Sequence, residues 1–338
     1  MGYEDSIVIR QADLEDIDRV MEFLRENWGE NHVMANSREL MCYEHTWLGK
    51  FTYVIAEDST SKKIYGVCGY LPYSVRTPCD MGAGIWKTIP SPRFLLGTEI
   101  LKYVQDKTGC RMLACCGANP KTKRFRKLIG HFNGKLSQFY RLNEKSEYKV
   151  ATIANKAILQ PICELNYSME KLETIEDLEE KFQIERFQNI MPYRDVEFIN
   201  HRYYNHIKYQ YTLFGIHTGK QIDAIVIGRE IRLNGHKIFR IIDYLGEENA
   251  LRGTFQAWGQ LIKDNDYEYV DFYEYGLSEK VLNEAGFVKR EDDDVNIIPN
   301  YFEPFEQRNI EIHISTNITG AFRMFKGDGD QDRPNDCR

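Results

Sequence analysis

Two histidines and one aspartate in this sequence are candidates for proton transfer. His32 and His45 follow the first predicted helix in a polar stretch, and an imidazole, with an ordinary pKa of about 6.5, accepts a proton at neutral pH. Asp243 lies in FRIIDYLG, an otherwise apolar predicted strand, where a carboxylate needs a partner or has a raised pKa. We predict that these three residues are catalytic. The alternatives are capping or surface roles for the histidines and, for Asp243, a salt bridge to Arg240 or to a neighbouring strand.

A junction between a predicted strand and a predicted helix, GIWKTIPSPRFLLGTEILKYV, suits a bound anion. The first turn of a helix has unpaired backbone N–H groups and the positive end of the helix dipole. Small residues there let phosphate oxygens approach the backbone closely. Gly97 and Thr98 lie at this point, so the sequence predicts a phosphate site. The alternative is an ordinary helix with Gly97 packed against the sheet.

Composition excludes several classes of protein. The chain has 338 residues and is 42% hydrophobic, enough for roughly two globular domains at ~150 residues each. Its net charge of -7 provides no global positive field for nucleic acid or an anionic membrane. The eight cysteines include no C-x-x-C pair, so we expect reduced thiols and no metal site. An acidic N-terminal segment without a long apolar run predicts a cytoplasmic protein without membrane insertion.

Strands and helices alternate along both halves of the chain. The first half predicts the order β-α-β-β-β-α-β-α, closed by a strand over 135–142. The second half repeats a hairpin, strand, helix, strand, helix and closing strand, which suggests an internal duplication. The loose pattern between them predicts a linker. We therefore predict an α/β (α+β) chain with domains at 1–145 and 175–338, a linker at 146–174, and in each domain a mixed, mostly antiparallel sheet flanked by helices.

The Gly97 junction resembles the acyl-CoA-binding element of GNAT-type acetyltransferases, whose loop has the form Q/R-x-x-G-x-G/A. Gly97 matches the last small position, but Leu95 replaces the first glycine and Pro92 the expected Gln or Arg, with Arg93 one place on. Nearly the whole chain resembles the tandem GNAT-like acyltransferases encoded with bacterial surface-polysaccharide genes. The segments that carry this resemblance are 15–47, HFNGKLSQFYRLN, VDFYEYGLSEKVLNEAGFVKR, IIPNYFEPF and KGDGDQDRPN.

The resemblance implies transfer of an acyl group from a CoA thioester to the amine of a nucleotide-linked amino sugar. The first domain would bind acetyl-CoA or another acyl-CoA, and a backbone N–H of its splayed strand would stabilise the oxyanion. Many relatives use a tyrosine on the last helix of the domain to protonate the thiolate. PKTKRFRKLIG has none; Tyr140 is the nearest substitute, and a proton delivered by solvent or substrate is the alternative. The CoA-binding residues implied are Ile85, Trp86, Lys87, Arg93, Gly97, Thr98 and Asn119.

By the same resemblance, the second domain would recognise the acceptor. Its matching junction, DYLGEENALRGTF, places Glu247 and Glu248 where phosphates would lie, and carboxylates repel a pyrophosphate. We therefore expect no CoA in this domain. The loop IIPNYFEPF and the C-terminal tail would contact sugar hydroxyls and phosphates. The residues expected to bind the acceptor are Tyr244, Tyr273, Asn300, Tyr301, Lys326, Asp328 and Arg333.

Two other functions stay open at this point. A tRNA-dependent aminoacyl transferase of the peptidoglycan-bridge type also has paired GNAT-like domains, although the acidic pI and the lack of a basic coiled-coil arm oppose it. A catalytically silent nucleotide-sugar-binding protein fits the degenerate loop. The acyl group, the sugar, the nucleotide and a homo-oligomeric state are all left open by the sequence.

Overall fold

The computed structural model describes residues 6–161 and 163–329. Its strands are β1 (Ile7–Gln11), β2 (Thr46–Trp47), β3 (Lys50–Phe51), β4 (Tyr53–Asp58), β5 (Ile64–Pro72), β6 (Met81–Thr88), β7 (Leu113–Cys116), β8 (Phe132–Lys135), β9 (Ser137–Leu142), β10 (Ser168–Leu172), β11 (Thr212–His217), β12 (Ala224–Leu233), β13 (His236–Gly246), β14 (Tyr269–Tyr275), β15 (Val288–Lys289), β16 (Tyr301–Phe302), β17 (Phe305–Glu306), β18 (His313–Thr316) and β19 (Met324–Phe325). Its α-helices are α1 (Ile17–Asn27), α2 (Val33–Asn36), α3 (Arg38–His45), α4 (Leu96–Thr108), α5 (Lys123–Leu128), α6 (Ile175–Lys181), α7 (Val196–Ile199), α8 (Glu248–Arg252), α9 (Phe255–Asp264) and α10 (Glu279–Glu284).

The chain divides into two compact units. Unit 1 contains residues 6–134, 313–320 and 328–329, and unit 2 contains 135–161, 163–312 and 321–327. Each unit has one large sheet, with the order β1-β4-β5-β6-β7-β18-β8 in unit 1 and β10-β11-β12-β13-β14-β9-β15 in unit 2. Mixed, mostly antiparallel sheets flanked by helices were expected, and this fold class is confirmed. The predicted domains are contiguous ranges, whereas each unit combines stretches that are distant in sequence.

Both sheets follow the same plan. In unit 1, β1, β4, β5 and β6 are successively antiparallel, and β6 then pairs with β7 in parallel. In unit 2, β10 to β13 are successively antiparallel, and β13 pairs with β14 in parallel. A helix follows the first strand of each parallel pair and leads to the second, as parallel neighbours require. The repeated order of elements in the sequence therefore corresponds to a repeated topology.

Strand β9 lies in the sheet of unit 2, so the prediction that the strand over 135–142 closes the first half is wrong. It pairs with β14 from Leu142↔Tyr269 to Ser137↔Glu274. Its polar side chains find their partners in unit 2, since Arg141 Nη1 donates to the carbonyl of Phe255 (2.7 Å). In unit 1, the neighbour of β7 is β18, from near the end of the chain. Alternating hydrophobicity identifies a strand but not the strand it pairs with.

The predicted linker, 146–174, is partly a folded piece of unit 2. Val150 and Ala151 are buried, and the buried Glu268 accepts hydrogen bonds from the amides of Lys149, Val150 and Ala151. Strand β10 extends the sheet at the other end of the segment. The loose hydrophobic pattern here reflects irregular backbone fixed by a buried carboxylate.

The two parallel pairs separate after a few residues. Strands β6 and β7 pair at Met81↔Leu113 and Gly82↔Ala114, while β6 continues alongside β5 as far as Thr88. We call the opening beyond Gly82 the β6–β7 gap. Gly329 lies at its start, bridged to Cys116, and a Cβ on Gly329 would be 3.3 Å from the Cys116 carbonyl oxygen and 3.6 Å from that of Ala83.

The corresponding opening in unit 2, the β13–β14 gap, is occupied by the chain itself. Strands β13 and β14 pair as far as Ile241↔Phe272. Beyond this point β19 pairs with β14, at Phe325↔Glu274 and Met324↔Tyr275. On the other side, Gly327 N donates to the carbonyl of Ile242 in β13 (2.9 Å). Residues 324–327 therefore take the place that a ligand would need between these strands.

Helices cover both faces of the sheet in unit 1. The apolar side of α1, which includes Val20, Met21 and Leu24, packs with residues of β4 and β5 on one face. On the other face, Ile100 and Val104 of α4 pack with a separate apolar cluster. Helical spacing of apolar residues was the signal for α1, and flanking prolines were the signal for α4.

Candidate active site

The junction after β6 is organised around Trp86 and Gly97. The indole Nε1 of Trp86 donates to the carbonyl of Gly97 (3.1 Å). A Cβ at position 97 would lie 2.9 Å from Trp86 Cζ2, closer than side chains tolerate. Packing therefore accounts for a glycine here, as the alternative interpretation of the sequence anticipated. Because a glycine stands at position 97, no side chain of this residue covers the first turn of α4.

The first turn of α4 has two amides without an acceptor. Leu95, immediately before the helix, has a left-handed backbone with φ of 60°. Its carbonyl accepts from the amides of Thr98 (2.9 Å) and Glu99 (3.2 Å) and from Thr98 Oγ1 (2.7 Å). Within the described part of the chain, the amides of Leu96 and Gly97 donate to no oxygen. These amides and the dipole of a 13-residue helix form a site where an anion is favoured.

Two of the predicted CoA ligands have structural partners. Arg93 Nη2 donates to the carbonyl of Ile7 (2.8 Å), and Arg93 Nη1 lies 3.3 Å from Glu99 Oε2. Asn119 follows β7 and caps the next turn, because its Oδ1 accepts from Lys121 N (3.0 Å). Arg93 offsets the one acidic side chain in the first turn of α4. The roles predicted for Arg93, Asn119 and Thr98 toward CoA stay predictions.

Strand β6 has a bulge at the position expected to stabilise the oxyanion. Between the pairs Cys68↔Trp86 and Tyr70↔Ala83, a single residue of β5, Gly69, lies opposite both Gly84 and Ile85 of β6. A bulge re-aims backbone and side chains and is common beside active sites. The predicted donors Ile85, Trp86 and Lys87 all lie on the segment of β6 beyond its pairing with β7, which ends at Gly82.

His45 lies directly over this bulge, whereas His32 does not. The His45 ring is fully buried at the end of α3, and its Nδ1 is 3.2 Å from Thr52 Oγ1. Its Cε1 would be 2.9 Å from a Cβ on Gly69 and 3.1 Å from one on Gly84. His32 instead caps α2, with Nδ1 accepting from Met34 N (3.2 Å), which is the capping role given above as the alternative. Of the two predicted histidines, the structure places His45 against β6.

Tyr73 is a buried residue of this region that the sequence analysis missed. Its hydroxyl oxygen would lie 2.5 Å from a Cβ on Gly82, two residues before Gly84. Alternate strand residues face the same side, so Tyr73 and His45 lie against the same face of β6. The signal in the sequence was MGAGI, where alternating glycines in a strand indicate close approach by other groups.

Asp243 is enclosed in a buried ion pair. Its Oδ2 lies 2.8 Å from Arg194 Nε and accepts from the Tyr203 hydroxyl (2.7 Å), and its Oδ1 accepts from Tyr244 N (2.8 Å). The suggested partner, Arg240, instead binds both oxygens of Asp271. The salt-bridge alternative therefore accounts for Asp243, but with a different arginine from the one considered. Burial, with the Asp243 charge next in importance, raises the pKa of Tyr203 far above its usual value.

Hydrogen-bond donors cluster around Asn300 in unit 2. Lys326 Nζ donates to Asn300 Oδ1 (2.9 Å) and lies 5.9 Å from the centre of the Tyr273 ring. All three residues are buried. In the described chain, Asn300 Nδ2 and the Tyr273 hydroxyl have no hydrogen-bond partner. The structure thus brings together three of the predicted acceptor-binding residues, and unpaired buried donors favour a ligand rich in oxygen acceptors.

Two solved structures share this architecture. A GCN5-related N-acetyltransferase from Anabaena variabilis is 11% identical, with a TM-score of 0.52, over 92% of this chain and 72% of its own. A conserved protein from Enterococcus faecalis, named a probable N-acyltransferase, is 9% identical, with a TM-score of 0.53, over 91% of this chain and 72% of its own. The chain has the GNAT fold. No protein-family profile and no curated protein sequence matches it.

Within this GNAT fold, the other predicted acceptor residues are not gathered at Asn300. The Tyr244 hydroxyl donates to the carbonyl of Glu247 (2.6 Å), and the Tyr301 ring is covered by the Arg308 guanidinium, 5.5 Å from its centre. Asp328 is fully buried and belongs to unit 1. Arg333 lies outside the described residues.

The GNAT-fold chain also differs from the sequence analysis at Tyr140, the suggested proton donor for the thiolate. Tyr140 lies on β9 in unit 2, and its hydroxyl accepts from Asn296 Nδ2 (2.9 Å). Burial raises its pKa. Tyr140 is therefore not a residue of unit 1, where CoA binding was predicted.

Across the described residues, no helix combines the length and the apolar character needed to cross a membrane.

Proposed function

We propose that this protein is an N-acyltransferase that takes its acyl group from a CoA thioester bound to unit 1. The observation that carries the proposal is the first turn of α4, where the amides of Leu96 and Gly97 have no acceptor in the described chain. This turn follows the strand that separates from β7. In a GNAT fold, such a junction suits the diphosphate of CoA.

In the described residues of unit 2, the place equivalent to the CoA site proposed for unit 1 is occupied by the chain itself. Residues 324–327 occupy the β13–β14 gap. The next helix, α8, begins at Glu248, and Glu247 is its N-cap residue. Glu248 is held at this junction, because its Oε1 accepts from Ser278 N (2.6 Å). Both the lack of space and the negative charge support unit 1 as the CoA-binding unit.

For the chemistry, we infer that His45 is the general base and that β6 stabilises the oxyanion. An amine attacks a thioester only when neutral, so a proton must leave it, directly or through water. Thr52 Oγ1 fixes the orientation of the His45 ring, and the ring faces the bulge in β6. A backbone N–H near Ile85–Lys87 would stabilise the tetrahedral oxyanion. Tyr73, on the same face of β6, is our candidate for protonating the thiolate.

For the acceptor, we propose the amine of a nucleotide-linked amino sugar in surface-polysaccharide synthesis. This rests on the sequence resemblance and on the donor cluster of Tyr273, Asn300 and Lys326. Hydroxyl, phosphate and carbonyl oxygens are the atoms that such donors recognise, and bonds to a lysine discriminate well. The second unit would then supply acceptor recognition.

The experiment that tests CoA binding uses two substitutions with the same shape. Gly97→Glu and Gly97→Gln meet the same contact with Trp86, but only the first introduces a negative charge at the free amides. We expect calorimetry to show CoA binding to the wild type, weaker binding to Gly97→Gln, and no binding to Gly97→Glu. Equal affinities for the two variants would show that no phosphate lies near Gly97.

Turnover is then measured as release of free CoA thiol in the presence of a panel of nucleotide-linked amino sugars. Acyl transfer to one of them would support the full proposal. Binding of CoA and of a nucleotide sugar without turnover would identify a silent binding protein instead. Transfer that requires charged tRNA would favour the peptidoglycan-bridge type.

A further inference from the structure

Helix α5 lies in the most basic stretch of an acidic protein. Between Lys107 and Asn143 the sequence contains no aspartate or glutamate. Around α5, the basic side chains of Lys121, Lys123, Arg124 and Lys127 are exposed, whereas Arg126 is only 5% exposed. An exposed run of cations is an ordinary solvated surface, but a buried cation without a counterion needs an explanation.

Arg126 lacks a counterion in the part of the chain that the structure describes. Its Nε donates to Thr122 Oγ1 (3.1 Å). Its Nη1 is buried and has no acceptor, and no carboxylate contacts the guanidinium in the described residues. An unsatisfied charged donor in a buried position costs more than a neutral one.

The environment of Arg126 shows the same excess of positive charge. His131 is buried beside it, and its pKa falls to about 4, first because of burial and second because of the Arg126 charge. His131 is thus neutral at physiological pH and leaves the charge of Arg126 in place. Its ring nitrogens lie near Gln105 and Ser315, neither of which is an anion.

Arg126 and Gly97, at the first turn of α4, both contact the side chain of Trp86. The guanidinium carbon of Arg126 is 4.9 Å from the centre of the Trp86 ring, and Trp86 itself contacts Gly97. A cation–π contact with tryptophan stabilises a guanidinium but accepts none of its N–H groups. The guanidinium of Arg126 and the helix turn that carries the free amides therefore both contact Trp86.

We propose that Arg126 binds the diphosphate of the acyl donor, together with the amides of Leu96 and Gly97. The inference rests on the proposed function, because it takes the donor to be a CoA thioester. Arginine suits this role because its planar fork presents paired donors to phosphate oxygens. It would also supply the cation expected at the position of Pro92, since Arg93, one place on, is held by the Ile7 carbonyl and Glu99.

The test compares Arg126→Gln with Arg124→Gln, an exposed arginine on the same helix. Calorimetry measures the affinity for CoA and for inorganic pyrophosphate, and inhibition measures the affinity for pantetheine, which has no phosphate. We expect Arg126→Gln to weaken CoA binding by about 10- to 100-fold and to abolish pyrophosphate binding, with pantetheine changed by less than about twofold. Arg124→Gln should change CoA affinity by no more than about threefold at 0.15 M salt.

Other outcomes would overturn the inference in distinguishable ways. Unchanged CoA affinity in Arg126→Gln, or an equal loss for CoA and pantetheine, would show that Arg126 only supports Trp86. If the wild type binds pyrophosphate through Arg126 but does not bind CoA, the anion site stands and the proposed function fails. If Arg126→Gln does not fold, Arg126→Lys keeps the charge and removes the fork, and we expect it to bind CoA more weakly than the wild type; equal affinity would overturn the paired contact.

Discussion

Among single residues, the two histidines show what sequence can and cannot separate. His32 and His45 have the same chemistry and lie in the same polar stretch, so pattern alone treats them equally. Only the fold shows that one caps a short helix and the other lies against the glycines of β5 and β6. The partner of Asp243 was equally out of reach, because Arg194 comes from a distant loop. The packing alternative for Gly97 could be anticipated, because its contact, Trp86, lies in the strand just before the helix; its role toward CoA stays a prediction.

Replacing His45 should reduce catalysis more than it affects binding. We expect His45→Ala to lower kcat by about 100-fold at pH 7, with partial recovery at higher pH, where more of the amine is neutral. The matched variant, His32→Ala, should lose about 1 kcal/mol of stability as a cap is removed and keep its kcat. Steady-state rates from pH 6 to 9 check this, with circular dichroism to confirm folding. If His45→Ala keeps a normal kcat that does not change with pH, His45 is not the base and solvent becomes the candidate.

Glu274 should make the stability of the protein depend on pH. It is buried on β14 and accepts from Leu277 N (2.9 Å), and burial raises its pKa from 4.5 to about 7. The folded state therefore keeps a proton that the unfolded state loses above pH 4.5. Stability from this group is complete below about pH 4.5 and falls until about pH 7, by ~3 kcal/mol in total.

Glu274→Gln should remove this fall while keeping an oxygen to accept from Leu277 N. Urea unfolding at pH 5 and pH 8 measures the effect, and the comparison between the two proteins cancels other titrating groups. We expect the variant to gain stability relative to the wild type as the pH rises. If the difference in stability between the variant and the wild type is the same at pH 5 and at pH 8, Glu274 is already ionised in the folded protein.

Among elements, strands were easier to find than their neighbours. Helix α1 follows from helical spacing of apolar residues, α4 from its flanking prolines, and β4 and β5 from a turn between two strand-like runs. The place of β9 in unit 2 could not be predicted, because its pairing with β14 depends on residues more than a hundred positions away. The bulge in β6 was also hidden, since it depends on register with β5.

The ion pair of Asp243 with Arg194 joins an irregular segment to strand β13. Both side chains are almost fully buried, with Arg194 3% and Asp243 0% exposed. Arg194→Met leaves a buried carboxylate without its cation, so we expect a loss of about 3–5 kcal/mol in the free energy of unfolding. The control is Arg232→Met, because the Arg232 side chain is 74% exposed in its pair with Glu230, and we expect ~0–1 kcal/mol there. Adding Asp243→Asn to Arg194→Met should recover part of the loss; no recovery would mean that the cost comes from packing alone.

In the whole molecule, the same sheet topology occurs twice, but the gap between the parallel strands is occupied differently in the two units. In unit 1 the gap is entered at its start by Gly329, and in unit 2 it is occupied by 324–327. The repeated order of elements could be predicted from the sequence. The filling of one gap could not, because it is done by a short segment with no strand pattern of its own.

Shortening the C-terminal tail should affect the acceptor but not CoA. Deleting 330–338 removes Arg333, a predicted ligand of the sugar nucleotide, and leaves the buried Lys326 and Asp328 in place. We expect a higher KM for the sugar nucleotide and an unchanged affinity for CoA, measured by initial rates and by calorimetry. A longer deletion, which starts at Gly327, would also remove the hydrogen bond to the carbonyl of Ile242, and we expect it to destabilise the protein. Normal sugar kinetics after the shorter deletion would assign no role to the tail.

The position of β18 has a consequence for how the chain is made. The outer neighbour of β7 is contributed by residues 313–316, which leave the ribosome about 200 residues after β7 has been made. Until then, β7 has an unpaired edge, and such edges invite association with other chains. The first half cannot finish folding while the second is being translated, so the nascent chain must hold an incomplete sheet in solution. A ribosome-bound chain stopped before residue 313 should therefore be more sensitive to protease in its first half than the released protein.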